Sequence, residues 1–144
     1  MTVRLSEELH RRLDAAAEQA MPLEACGLLL GQKIVGSFIV EDCILAENVT
    51  TEDPATSFEV DPQTYIQVQR DVRAGGSQII GVWHSHPTTD AIVSETDKRL
   101  SRECGWLWLI SSLVYRASEG RVKLQAFVAG DEDSRDFKQV EIEF

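Results

Sequence analysis

Leu5, Leu9, Leu13, Ala16, Ala17 and Ala20 recur at helical spacing, and Ser6 stands as an N-cap just before Glu7 and Glu8. This pattern predicts an amphipathic helix over 6–20, broken at Pro22. Cys26 to Leu30 is a short apolar run closed by Gly31, which reads as a buried strand. Ile34 to Leu45 reads as a second strand, paired to the first as a hairpin turned through Gln32 and Lys33. Residues 47–57 hold Asn48, Thr50, Thr51, Asp53 and Pro54 and predict a polar loop. Pro62 suits a first helical turn, and Tyr65, Ile66, Val68 and Val72 predict an apolar helix face ended by Gly75 and Gly76.

Next comes QIIGVWHSH, an apolar strand that runs into two histidines. SETDKRLSREC predicts a short helix. GWLWLISSLVY and RVKLQAFVAG predict two strands joined by a turn at Ser118–Gly120, and Phe137 to Phe144 alternates as an edge strand does. The order helix, two strands, helix, strand, short helix, strands implies an α/β domain: a mixed β-sheet flanked by helices, with no repeating βαβ barrel. No internal repeat or linker interrupts it.

The 144-residue length fits one domain, 1–144. A chain of this size buries roughly 70% of its unfolded surface and needs no disulfide staples. The 24 acidic and 14 basic side chains give a formal net charge of -10, which argues against nucleic acid and against anionic membranes as partners. Cys26, Cys43 and Cys104 form no CxxC pair and read as reduced thiols. The charged N-terminus is unlike a signal peptide, and no run approaches about 18 apolar residues, so a cytoplasmic setting is expected. Nothing in the pattern sets the oligomeric state.

Chemistry concentrates in GVWHSHPTTDAIVSETD, residues 81–97. His84 and His86 stand two apart at a strand end, so alternation sends both imidazoles to one face. Pro87 then turns the chain, and Asp97 lies one turn into the next expected helix, able to return as a third ligand. Two histidines and a carboxylate with a fourth position left for water make a catalytic zinc site. Each piece alone has a plainer reading. An HxH pair is often just polar, and Ser94-Glu95-Thr96-Asp97 also matches a capping box. The conjunction is the informative signal.

HSHP, six residues, then Ser94 and Asp97 resemble the H-x-H-P-x(6)-S-x-x-D motif of the JAMM/MPN+ metallopeptidases. PLEACGLLLG, residues 22–31, resembles the glutamate segment of the same family. The resemblance implies an MPN fold and a Zn2+ ion held by His84, His86 and Asp97. It also implies Glu24 as general base on the attacking water and Ser94 as a donor to the tetrahedral intermediate. Val93 replaces a frequent family Pro and predicts a looser loop; Asp90 adds a carboxylate there, expected to be solvated. The chain is shorter than family deubiquitinases that grip a specific linkage through two insertions. Compact members suggest instead a peptidase or isopeptidase acting on the C-terminal tail of a ubiquitin-like or sulfur-carrier protein. The alternative is a non-catalytic MPN scaffold, disfavoured because every ligand position is filled. A deaminase is disfavoured by the missing H-x-E and P-C-x-x-C.

Three flanking groups complete the expectations. Cys26 reads as a small core residue. Trp83 should point away from His84. Ser111 and Ser112, which interrupt an apolar strand, are candidates for lining a substrate groove.

Overall fold

A computed structural model describes residues 1–87, 106–116, 119–129 and 137–144. In chain order the described elements are β1 (Thr2–Arg4), α1 (Glu7–Ala20), β2 (Cys26–Ile34), β3 (Ser37–Ala46), α2 (Pro62–Arg73), β4 (Gln78–His86), β5 (Leu107–Arg116), β6 (Glu119–Ala129) and β7 (Phe137–Glu143). The helix expected over 94–104 lies outside the described residues.

The first helix forms where its pattern places it. Ser6 Oγ accepts from the Leu9 amide at 3.1 Å, and Leu9, Leu13 and Ala17 are buried on one stripe. Each buried leucine contributes about 1.5–3 kcal/mol. Asp61 caps α2 by accepting from the Gln63 amide at 3.2 Å, with Pro62 in the first turn. Only part of the expected face of α2 is inward: Val68 is buried, whereas Ile66 is 49% exposed.

The sheet is mixed, as expected, but where a sheet flanked by helices was expected it closes on itself. Its strands close into a barrel in the order β1-β3-β2-β4-β5-β6-β7. The β1–β3, β1–β7 and β4–β5 pairs are parallel and the others antiparallel. Closure depends on two features that periodicity did not reveal. One is β1, three residues long, too short for a pattern. The other is β7, which pairs with both β6 and β1 and so is no edge strand. Alternation reports a half-buried strand; it does not report how many neighbours the strand has.

The hairpin is also longer than expected. Strand β2 continues through Gly31 to Ile34, and the turn falls at Val35–Gly36. Gly36 has φ +78°, a left-handed conformation that glycine adopts at little cost. Gly31 sits at a register shift inside the strand and ends nothing. Likewise, Glu119 and Gly120, expected in a turn, already pair with Arg116 and Tyr115.

Two apolar clusters divide the faces of the sheet. Helix α1 packs with Val3, Leu29, Phe38, Trp83, Leu109 and Ala126 from successive strands. Helix α2 and the 47–60 loop cover the other face, where Cys26, Leu28, Val82 and Trp108 meet Phe58 and Val68. His84 and His86 share strand parity with Val82, so they project to this second face.

Candidate metal centre

His84 and His86 do leave β4 on one side. Their rings meet edge-on with centroids 4.8 Å apart. Glu24 enters from the residue pair before β2, because β2 and β4 are antiparallel neighbours with Cys26 opposite His84. One donor atom from each of Glu24, His84 and His86 lies within 4.8 Å of the others. All three side chains are buried, with His84 fully enclosed.

Glu24 is held in this place by its main chain. Its amide donates to the Pro54 carbonyl at 2.8 Å, and Asn48 Nδ2 donates to its carbonyl at 3.1 Å. The next residue, Ala25, is clamped by Ser85: the Ala25 amide donates to Ser85 Oγ at 2.8 Å and the Ser85 amide to the Ala25 carbonyl at 3.0 Å. The middle residue of His-Ser-His thus faces the α1 side and ties the glutamate segment to the histidine strand.

The carboxylate is in an uncommon situation. Oε1 lies 3.0 Å from His84 Nδ1, while Oε2 is buried with no hydrogen-bond partner among the described residues. A carboxylate oxygen out of water and unmatched is destabilising, and such groups survive where a cation or a polar ligand completes them. Two imidazoles with a carboxylate beside them, as a ligand or as a base, suit a zinc centre. The residues present therefore fit a metal. Asp97, the expected third ligand, and Ser94, Asp90 and Val93 lie outside the described residues, as does Cys104.

Aromatic rings enclose His84. Phe58 stacks on it with centroids 4.4 Å apart and an interplanar angle of 18°. Trp108 meets its edge at 5.7 Å and also meets Phe58 at 5.9 Å. Phe58 lies one residue beyond the stretch 47–57 expected as a polar loop, and Asn48, which fastens that loop, was not singled out by any motif. Their signal is a long-range contact, which no local spacing carries. Phe58→Leu keeps apolar bulk but removes the stacked face. It should weaken zinc binding by roughly tenfold or more, as loss of groups that orient a ligand does. A competition titration against a chromophoric chelator checks this; unchanged affinity would assign Phe58 to packing alone.

The flanking residues sort cleanly. Trp83 points to the α1 side, as expected, and its Nε1 donates to Ser111 Oγ at 2.9 Å. Ser111 is thereby on the side away from the histidines and does not line their site. Ser112, the next residue, is on the histidine side, opposite His86. Cys26 is a buried core thiol: burial, and next the Glu24 charge, push it up to about 12. Cys43 is likewise pushed up to about 12, first by burial. Both are free thiols, protonated at neutral pH and poor nucleophiles. Among the described residues no helix is long and apolar enough to cross a membrane.

Comparison with known proteins places the chain in a family. Residues 6–127 match the family described as prokaryotic homologs of the JAB domain. A desampylase from Haloferax volcanii is 30% identical over 103 residues, spanning 72% of this chain and 70% of that protein. The solution structure of a Desulfitobacterium hafniense protein superposes with a TM-score of 0.80 at 31% identity, covering 99% of this chain and 92% of that one. A second, from Salinibacter ruber, gives 0.68 at 26% identity, covering 99% and 90%.

Proposed function

This chain belongs to the prokaryotic JAB-domain family, a compact branch of the JAMM/MPN group, and from that premise we propose that it is a zinc-dependent peptidase or isopeptidase. Its substrate in this reading is an amide bond at the C-terminal tail of a ubiquitin-like or sulfur-carrier protein. The observation that carries the reading is the buried meeting of Glu24, His84 and His86, with Glu24 Oε2 unmatched among the described residues. The likeness to a desampylase supports a ubiquitin-like tail as the substrate class.

In this reading His84 and His86 hold the metal with Asp97. Zinc, when bound, supplies Lewis acidity: it makes water acidic near neutral pH and polarises the scissile carbonyl. Glu24 takes the proton of the attacking water and returns it to the leaving amine, the ordinary work of a positioned carboxylate. Its burial keeps competing water away and strengthens each electrostatic contact. Ser94 donates a hydrogen bond to the developing oxyanion. The substrate tail binds extended, so that its last carbonyl reaches the histidine face of β4. A cytoplasmic setting is part of the same proposal.

The test is a panel of ubiquitin-like and sulfur-carrier fusions incubated with zinc-loaded protein and read by mass spectrometry. Cleavage at the tail junction is expected, lost with a chelator and restored by zinc. A zinc-loaded protein that cuts none of the panel, while its relatives do, would contradict the proposal.

A further inference from the structure

Ser85, Ser111 and Ser112 are fully buried side by side where β4 and β5 run parallel. The register sets Ser85 opposite Ser111 and His86 opposite Ser112. Ser85 Oγ accepts from the Ala25 amide at 2.8 Å, and Ser111 Oγ accepts from Trp83 Nε1 at 2.9 Å. Both belong to the α1 side and both are structural. Ser112 faces the other way, onto the histidine side, and its Oγ has no hydrogen-bond partner among the described residues. A buried hydroxyl left unmatched is destabilising, and alanine there would remove the penalty. The two matched serines show that this region can satisfy its hydroxyls.

We propose that Ser112 is a substrate-contacting residue whose hydroxyl donates a hydrogen bond to a backbone carbonyl of the peptide tail being cleaved. The inference rests on the peptidase reading above and deepens it. Ser112 lies one strand over from His86, two pairs beyond the His84–Ile110 pair and on the same face as both histidines, which sets its hydroxyl beside the path of an amide brought to them. An extended tail offers a carbonyl every 3.3 Å or so, and Ser112 provides a fixed donor for one of them. Substrate then supplies the partner that the folded chain withholds, so a local cost in stability is returned as affinity for the reacting bond.

The experiment compares Ser112→Ala, Ser112→Cys and Ser111→Ala with wild type, each zinc-loaded. The probe is a ubiquitin-like protein with a glycine-ended tail linked to an aminocoumarin. Ser112→Ala should lower kcat/KM roughly ten- to a hundredfold, the loss expected for one hydrogen bond to the reacting segment. Its zinc content should be unchanged and its Tm equal to or above wild type. Ser112→Cys fills the same space with a weak donor and should fall with it, excluding a cavity as the cause. Ser111→Ala should lower Tm, because it leaves Trp83 Nε1 unmatched. Equal kcat/KM in wild type and Ser112→Ala would overturn the contact alone. A Tm loss in Ser112→Ala as large as that of Ser111→Ala would overturn it too, by assigning the hydroxyl to the fold. A zinc-loaded wild type that does not cleave the probe would overturn the peptidase reading and this contact together.

Discussion

Glu24→Gln should lower kcat/KM by roughly 10²–10⁴-fold, the range a positioned general base supplies. Glutamine keeps the volume, and its amide still reaches His84 Nδ1, now 3.0 Å from Oε1. The backbone contacts from Asn48 and to Pro54 do not involve the side chain, so the segment stays in place. Zinc should therefore remain bound at about one ion per chain, since the proposed ligands are untouched. Loss of turnover with metal retained separates a base from a ligand. Steady-state kinetics together with elemental analysis checks it. A Glu24→Gln protein that cleaves at the wild-type rate ends the base assignment, and one that loses its zinc makes Glu24 a ligand.

Gly81→Ala should damage the fold severely. Strands β4 and β5 approach so closely here that a Cβ on Gly81 would stand 1.8 Å from the Leu107 carbonyl oxygen and 2.7 Å from its carbon. These are backbone atoms in the register that also aligns His84 with Ile110 and His86 with Ser112, so no rotamer change relieves the clash. The strands must separate. Overpacking of a rigid site costs about 1–3 kcal/mol and at times more; a backbone clash belongs at or above the upper end. For a domain of this size each kcal/mol moves Tm by roughly 2–4 °C, so a fall of about 6 °C or more is expected in thermal unfolding. Zinc affinity should fall as well, because the histidine strand is displaced. An alanine variant with unchanged Tm would show that the strands are not packed as described.

The histidine pair of the candidate site was legible, because its shared face follows from local spacing. Two histidines separated by one residue at a strand end must share a face, and they do. Glu24 was legible only through its likeness to a family segment, since the contact that brings it to His84 spans 60 residues. The same distance in sequence hid Ser85, whose hydroxyl holds the glutamate segment, behind the two histidines beside it. Phe58 and Asn48 were hidden for another reason: they sit in a loop whose composition describes its exposure and not its contacts. Helices α1 and α2 were legible through caps and apolar stripes, which are local. Barrel closure was not, because β1 is too short to show a period and β7 shows the same alternation whether it has one neighbour or two. Ser111 and Ser112 were indistinguishable as neighbours in the chain; strand alternation sends one to Trp83 and the other to the histidines.

The most direct test is a crystal structure of zinc-loaded protein with anomalous data collected at the zinc edge. The account predicts one strong peak on the second face of β4, about 2.0–2.1 Å from a nitrogen of His84 and of His86, with Asp97 as the remaining protein ligand and Glu24 beside it. A peak elsewhere, or histidine nitrogens that share no peak, would contradict it.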